Sequence, residues 1–375
     1  MNDRATLAHQ RQAGLKRLAS HAEALNTGTY TDFTDNDVVP FLAEQGLTRI
    51  GVPEAQGGLG GTTVDVVEAL ADVAEQSLAA AFVMWGHRCM TDMLLQTDNA
   101  ALRERLLPSL LAGEHAGATG LSNAMKFLGG IEELQLQATA NTADGNLAAG
   151  WRIQGRMHWV TNLRPAGFTV AAAVQPTHEA PAAVFALDSN LLGMQRSANL
   201  DLQGMRGSHT AAIDVQQVPV GPEQLLHADA KAFLPRIRPN FLSLQCGMSI
   251  GLARASLAAA QRHACGPRDV LGERIAQVSK RLLESTAQMY EGLQQGTFTT
   301  QPAALFKLRI ALAHQVQEAI ALELQACGGR AYLVGQAPGF MRRWLEAAFI
   351  PLITPSLSQL EFQLQAQKKA ALSQG

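Results

Sequence analysis

The stretch WRIQGRMHWVTN, residues 151–162, decides the fold. Trp151, Ile153, Met157 and Trp159 fall on odd positions, with Arg152, Gln154, Arg156 and His158 between them. A period of two with one apolar face marks a half-buried strand. Working outward, LQLQATA (134–140), FTVAAAV (168–174), AAVFAL (182–187) and TAAIDVQQVPV (210–220) are short, β-like and separated by turn residues. They predict an antiparallel sheet or small barrel from about Gly117 to Val220.

Both flanks read as helix. Residues 1–26, 36–46, 63–79 and 80–113 are rich in Ala, Leu, Glu and Gln, with apolar residues recurring at three and four. Among them GVPEAQGGLGGTT (51–63) carries five glycines and a proline and must be a turn-rich loop. From Phe233 the helical pattern returns in NFLSLQCGMSIGLARASLAAAQRHAC, LGERIAQVSKRLLESTAQMYEGLQQG and QPAALFKLRIALAHQVQEAIALELQACGG. Gly328 and Gly329 stand where a helix C-cap belongs. The closing QAQKKAALSQG is expected to fray. Helices, a β block and a helical bundle make an α+β chain in three regions, 1–115, 116–228 and 229–375.

The totals set bounds. The chain has 375 residues, a net charge of −2 and 47% hydrophobic content. That is a globular composition, and neither nucleic acid nor an anionic membrane is expected as partner. No apolar run of membrane-spanning length occurs. The polar opening MNDRATLAHQRQAGLKRLAS lacks the apolar core of a secretory signal. Cys89, Cys246, Cys265 and Cys327 are scattered without a CxxC or nearby His, so free thiols in a reducing cytoplasm, and no metal, are expected.

Five motifs in order carry a resemblance. VPEAQGGLGG (52–61) is similar to P-E-x-x-G-G-x-G, GRMHWVTN (155–162) to G-x-K-x-W-I-T-N, and GMRGSHTAAIDVQQVPV (204–220) to G-x-R-G-S-x-T…V-x-V-P. RHACG (262–266) is similar to R-x-x-F-G with Cys265 for Phe, and QACGGRAY (325–332) to Q-x-x-G-G-x-G-Y with Ala331 for the third Gly. The pattern resembles the acyl-CoA dehydrogenase superfamily of FAD enzymes over roughly residues 35–365. That resemblance implies an N-terminal helical domain, a middle antiparallel β-barrel domain and a C-terminal four-helix bundle. It also implies FAD at a subunit interface, hence a homodimer or homotetramer.

The resemblance assigns cofactor contacts to Ser122, Trp159, Thr161, Arg262, Gln325, Gly328, Gly329 and Ser356. Trp159 and Thr161, two apart on one strand, are expected on one sheet face as the flavin wall. Arg262 would fork onto the pyrophosphate. Without the motifs, Trp159 reads equally as a core aromatic, Arg262 as a solvated helix face, and the glycines as a plain cap.

One element of the pattern is missing. In EAAFIPLITPSLSQLEFQL (346–364) the slot of the family's catalytic Glu holds Thr354, and no acid lies between Glu346 and Glu361. The alternative base position, near Phe241, is also empty, with no Asp or Glu from Phe233 through Arg268. NAMKFLGG (123–130) replaces the segment that helps hold the thioester. Flavin-side motifs persist while the acyl-CoA side has changed, which implies altered substrate chemistry rather than decay. His87, on the helix expected beside the pocket, is the candidate replacement base because imidazole titrates near neutrality. Its bland reading is a satisfied structural histidine. Thr354 is a candidate hydrogen-bonding residue toward a substrate oxygen.

Two functions follow from the resemblance. One is a dehydrogenase of an acyl thioester, with a hydroxyacyl, aminoacyl or β-aldehyde unit tethered to CoA or to an acyl carrier protein of polyketide or nonribosomal peptide synthesis. The other is a flavin-dependent monooxygenase using O2 and a partner reductase.

Overall fold

The computed structural model describes residues 2–29 and 37–373. Five helices lead: α1 (Asn2–Thr27), α2 (Val38–Glu44), α3 (Thr63–Gln76), α4 (Leu78–Gln96) and α5 (Ala100–Leu111). The starts of α3, α4 and α5 are set by side chains that satisfy orphan N–H groups. Thr62 and Asp65 form a capping box on α3, Ser77 accepts from Ala80 N–H on α4, and Asn99 accepts from Leu102 N–H on α5. The helix α4 is buried from Leu78 through Leu94, and so lies at the centre of the molecule.

The middle region holds β1 (Ala116–Thr119), α6 (Ser122–Leu128), β2 (Gln137–Ala140), β3 (Trp151–Val160), β4 (Phe168–Pro176), β5 (Ala183–Asp188), β6 (Met194–Asn199), β7 (Ala211–Val220) and β8 (Leu225–His227). They form one eight-stranded sheet in the order β6-β7-β3-β2-β4-β5-β8, with β1 also on β4. The expectation of an antiparallel barrel needs correction on two counts. The sheet is open, ending at β6 and β8, and it is mixed, because β1 and β2 both run parallel to β4. Between them stands α6: β1 pairs with Phe168–Ala171, and β2 resumes beside Gln175 and Pro176 on β4.

The pairing of β3 with β7 shifts register between Met157 and Val160. A bulge puts two residues opposite one and turns the alternation over. Met157 and Val160 are therefore both buried, and of the residues flanking Val160, Trp159 is 59% exposed and Thr161 5%.

The third region comprises α7 (Ala230–His263), α8 (Gly272–Gln294), α9 (Thr297–Thr300), α10 (Pro302–Cys327), α11 (Phe340–Phe349) and α12 (Leu357–Ser373). The long helices are α7, α8, α10 and α12, and α10 packs against the other three. The segment expected to fray is helical through Ser373. The helix α7 also lies closely on α3 at two glycines. A Cβ on Gly251 would stand 2.1 Å from the Ala71 carbonyl oxygen, and one on Gly247 2.9 Å from that of Val67. Backbone cannot yield as a side-chain tip does, so Gly251→Ala is expected to cost about 1–3 kcal/mol. A urea midpoint unchanged by that substitution would show that the helices can separate freely.

Two buried ion pairs tie α11 down. Arg342 forks onto Glu346 at 2.7 and 2.8 Å, and Glu346 also accepts the Leu78 N–H at 3.0 Å. Arg343 binds Glu323 of α10. Among the described residues no helix is long and apolar enough to cross a membrane, and no cluster of metal-ligating side chains occurs.

Candidate functional site

The site gathers where α6 breaks the sheet. Ser122, the first residue of α6, donates its hydroxyl to Thr354 Oγ1 at 3.0 Å. Because that oxygen is already an acceptor, the Thr354 hydroxyl hydrogen remains to be donated outward. Thr354 lies in the loop between α11 and α12 and is itself anchored from behind. Gln245 of α7 donates to its carbonyl at 2.9 Å. Gln245 in turn accepts from Arg309 Nε of α10 at 3.3 Å, while Arg309 Nη2 donates to Ile350 O at 2.8 Å. Gln245 and Arg309 are fully buried.

Ser122 also lines a cavity of about 100 Å³ with Asn123, Lys126, Glu132, His158 and Trp159. Ser122 thus joins the exposed Trp159 face to Thr354. Two residues on, Ser356 is occupied with the start of α12. Its Oγ accepts from Gln359 N–H at 3.4 Å, and Gln359 Oε1 accepts from Ser356 N–H at 2.9 Å. The Thr161 hydroxyl is turned inward, against Thr210 Oγ1 at 2.8 Å, and its methyl would meet any Cβ on Gly86 of α4.

His87 has a different place. It is 2% exposed on α4. Nδ1 accepts the Gly117 N–H at 3.1 Å and Nε2 lies 3.0 Å from the Leu110 carbonyl. A donor on one side and an acceptor on the other fix the tautomer, with the hydrogen on Nε2. Burial pushes its pKa down to about 4. Both nitrogens are therefore spent tying α4 to α5 and β1, and neither is free to take a proton from a substrate. The expectation of His87 as general base is corrected on this geometry.

The remaining predicted contacts stand apart from this site within the chain. Arg262 is exposed near the end of α7 and lines a second cavity, of about 470 Å³, with Glu23, Glu75, Arg342 and Arg343. Gln325 is bound by Arg274 at 3.0 Å. Gly328 caps α10 at φ +60°, with the Arg268 guanidinium against it, and Gly329 faces open space. Of the two, Gly328 is the C-cap of α10. Cys89, Cys246 and Cys327 are buried free thiols and Cys265 is an exposed one.

Sequence reading missed Gln245 and Arg309. A signal for Arg309 existed: Leu305, Leu312 and Val316 lie at helical spacing around it and all are buried, so the core stripe of α10 runs through an arginine. Nothing in the sequence joined it to Gln245, 64 residues earlier.

Residues 3–114 match the model of the acyl-CoA dehydrogenase N-terminal domain. The mitochondrial isovaleryl-CoA dehydrogenase of Arabidopsis thaliana is 27% identical over 217 residues, 57% of this chain and 51% of that protein. The chain spans about half the length of the isovaleryl-CoA dehydrogenases it matches. In fold it is similar to butyryl-CoA dehydrogenase from Megasphaera elsdenii, with a TM-score of 0.80 at 18% identity, covering 98% of this chain and 97% of that one. FkbI, for biosynthesis of the methoxymalonyl extender unit of Fk520, gives 0.77 at 16% identity over 96% and 99% of the two chains. The dibenzothiophene monooxygenase TdsC from Paenibacillus sp. A11-2 gives 0.74 at 17% over 95% of each. The chain is thus similar to acyl-CoA dehydrogenases in its N-terminal region and shares its three-part architecture with these solved structures.

Proposed function

We propose that this protein is an FAD-dependent oxidoreductase of the acyl-CoA dehydrogenase type acting on an acyl thioester, with hydride passing from the substrate to the flavin. The exposed Trp159 beside the Ser122 and Thr354 hydroxyls fits an aromatic ring with polar edges. Arg262, Gln325, Gly328 and Gly329 lie outside that cavity, and we assign them to the pyrophosphate and adenine end of a cofactor shared between subunits. That assignment makes the active form a homodimer or homotetramer. The regions 1–115, 116–228 and 229–375 are its proposed domains, and the reducing cytoplasm its proposed compartment.

The observation that carries the chemistry is the pair of hydroxyls at Ser122 and Thr354, with no carboxylate in the loop. A threonine cannot abstract a proton from carbon at neutral pH, and His87 has no nitrogen to spare. The substrate is therefore one whose oxidised carbon bears OH or NH, so that only a hydroxyl or ammonium proton has to leave, and water suffices to accept it. The Thr354 hydroxyl donates to the substrate oxygen and Ser122 orients it. The altered thioester-side segment and the fold shared with FkbI favour a hydroxyacyl, aminoacyl or hydrated β-aldehyde unit on an acyl carrier protein.

The test is anaerobic titration of the flavin-loaded protein with acyl-CoAs and with carrier-bound hydroxyacyl and aminoacyl thioesters. A carrier-bound substrate is expected to bleach the flavin's visible band, roughly tenfold or more slowly in Thr354→Val. The fold shared with TdsC and the missing carboxylate support the second reading, a monooxygenase. No bleaching by any thioester, with substrate-dependent reoxidation of reduced flavin by O2, would replace the first reading with the second.

A further inference from the structure

Arg309 is a cation placed where folding gains nothing from it. Its side chain is fully buried, no ion pair to it occurs among the described residues, and Nη1 has no hydrogen-bond partner. Its nearby titratable group, the Cys246 thiol, is buried and pushed up to about 12, so it stays neutral and offers no counter-charge. An unpaired buried charge is costly, and a methionine or leucine would fill such a core stripe without that cost. Conflicts of this kind, kept inside an otherwise consistent core, concentrate where function uses them. The direction in which Arg309 spends its hydrogen bonds is also informative. Nη2 holds Ile350 O and Nε holds Gln245, whose amide passes a donor on to Thr354 O. Both contacts support the loop that carries Thr354, and every dipole in the relay points its positive end at that loop.

We propose that Arg309 is a positioning residue of the reacting end of the site: through Gln245 it fixes the Thr354 backbone, and it lends that end a permanent positive charge that stabilises negative charge developing there. The charge stands one amide and two hydrogen bonds from the Thr354 carbonyl. At that range, with an effective dielectric near 20, it favours an anion by roughly tenfold or more. It acts toward an alkoxide forming on a substrate oxygen beside Thr354, a role that preorganised dipoles and charges play in many active sites. Of the charges lining the adjoining cavity, Lys126 pairs with Glu132 at 3.1 Å and Arg156 with Asp214 at 2.9 Å.

The inference rests on reading the Thr354 end as the reacting end, but its test needs neither flavin nor turnover. Thr354→Cys places a titrating thiol at the half-buried position, and its alkylation by iodoacetamide is followed against pH by peptide mass spectrometry. The exposed Cys265 in the same molecule is the reference. The thiol at 354 is expected to titrate about one unit below an ordinary cysteine, a tenfold gain in thiolate at pH 7. It should return to the ordinary value in Thr354→Cys/Arg309→Gln, with Cys265 unchanged. A merely structural Arg309 would alter melting without moving this titration. Should the glutamine variant not fold, Thr354→Cys/Arg309→Lys keeps the charge and must keep the thiol low. An ordinary or raised titration in Thr354→Cys, or no difference on removing the charge, would overturn the proposal. A protein that binds no FAD would sink the proposed function and leave the titration readable.

Discussion

Glu346→Ala is expected to destabilise the protein by about 3–5 kcal/mol, because it strands Arg342 in the interior. Glu346 is 0% exposed. Its carboxylate takes both arms of the Arg342 fork and the Leu78 N–H at the first residue of α4. It therefore pairs a charge and caps a helix dipole at once, and it locks a helix of the third region to the central helix of the first. A loss of this size is a large fraction of a typical domain's total stability. The double variant Arg342→Met/Glu346→Met removes both charges and is expected to recover most of it. Urea denaturation of Arg342→Met, Glu346→Met and the double variant closes the cycle. A Glu346→Ala protein within about 1 kcal/mol of the wild type would mean that the pair is solvated in solution.

The second large effect is acid lability seated at His87. Its folded pKa, about 4, lies well below the ordinary 6.5 because the ring is buried, which outweighs the hydrogen bond to Leu110 O. Below pH 6.5 the unfolded chain binds a proton that the folded chain refuses, so stability falls with falling pH. The contribution is complete above pH 6.5 and is lost between there and about pH 4, amounting to roughly 3 kcal/mol at 1.36 kcal/mol per pH unit. His87→Gln keeps an acceptor for Gly117 and a donor for Leu110 but cannot titrate. Its stability gap from the wild type should narrow steadily from pH 6.5 to pH 4 in guanidinium melts. Parallel profiles would move the acid sensitivity to other groups.

The order of helices, sheet and bundle was legible because each region writes its own period into the chain. The loop motifs likewise led to Ser122 and Thr354, 232 residues apart, which the fold brings into contact. What escaped was non-local. Strict alternation along β3 puts Met157 and Val160 on opposite faces, but a register shift against β7 buries both, and that shift is visible only in the pairing. His87 was read as a base from its helix and its pKa in water. Its partners, Leu110 O and Gly117 N–H, are backbone groups that any residue type would supply. The open sheet escaped for a similar reason, since closure depends on whether the margin strands pair with each other and not on how strongly the strands alternate.

That open sheet leaves two margins on which another chain can pair and start an aggregate, a hazard closed barrels avoid. The two margins are blunted differently. On β6 the pairing with β7 is irregular between Arg196 and Asn199, and Arg196 curls back to bind Leu163 O and Ser197 O. A charge and a kink make a poor template. On β8, only three residues long, Thr97 donates to Leu226 O at 2.6 Å and Asn99 to Leu225 O at 3.0 Å. Those acceptors are consumed by the turn between α4 and α5, so this margin is shielded only while the first region stays docked. Partial unfolding of the helices in front would bare it, and the chain's colloidal fate in a crowded cell then depends on the same contacts that hold α4 in place.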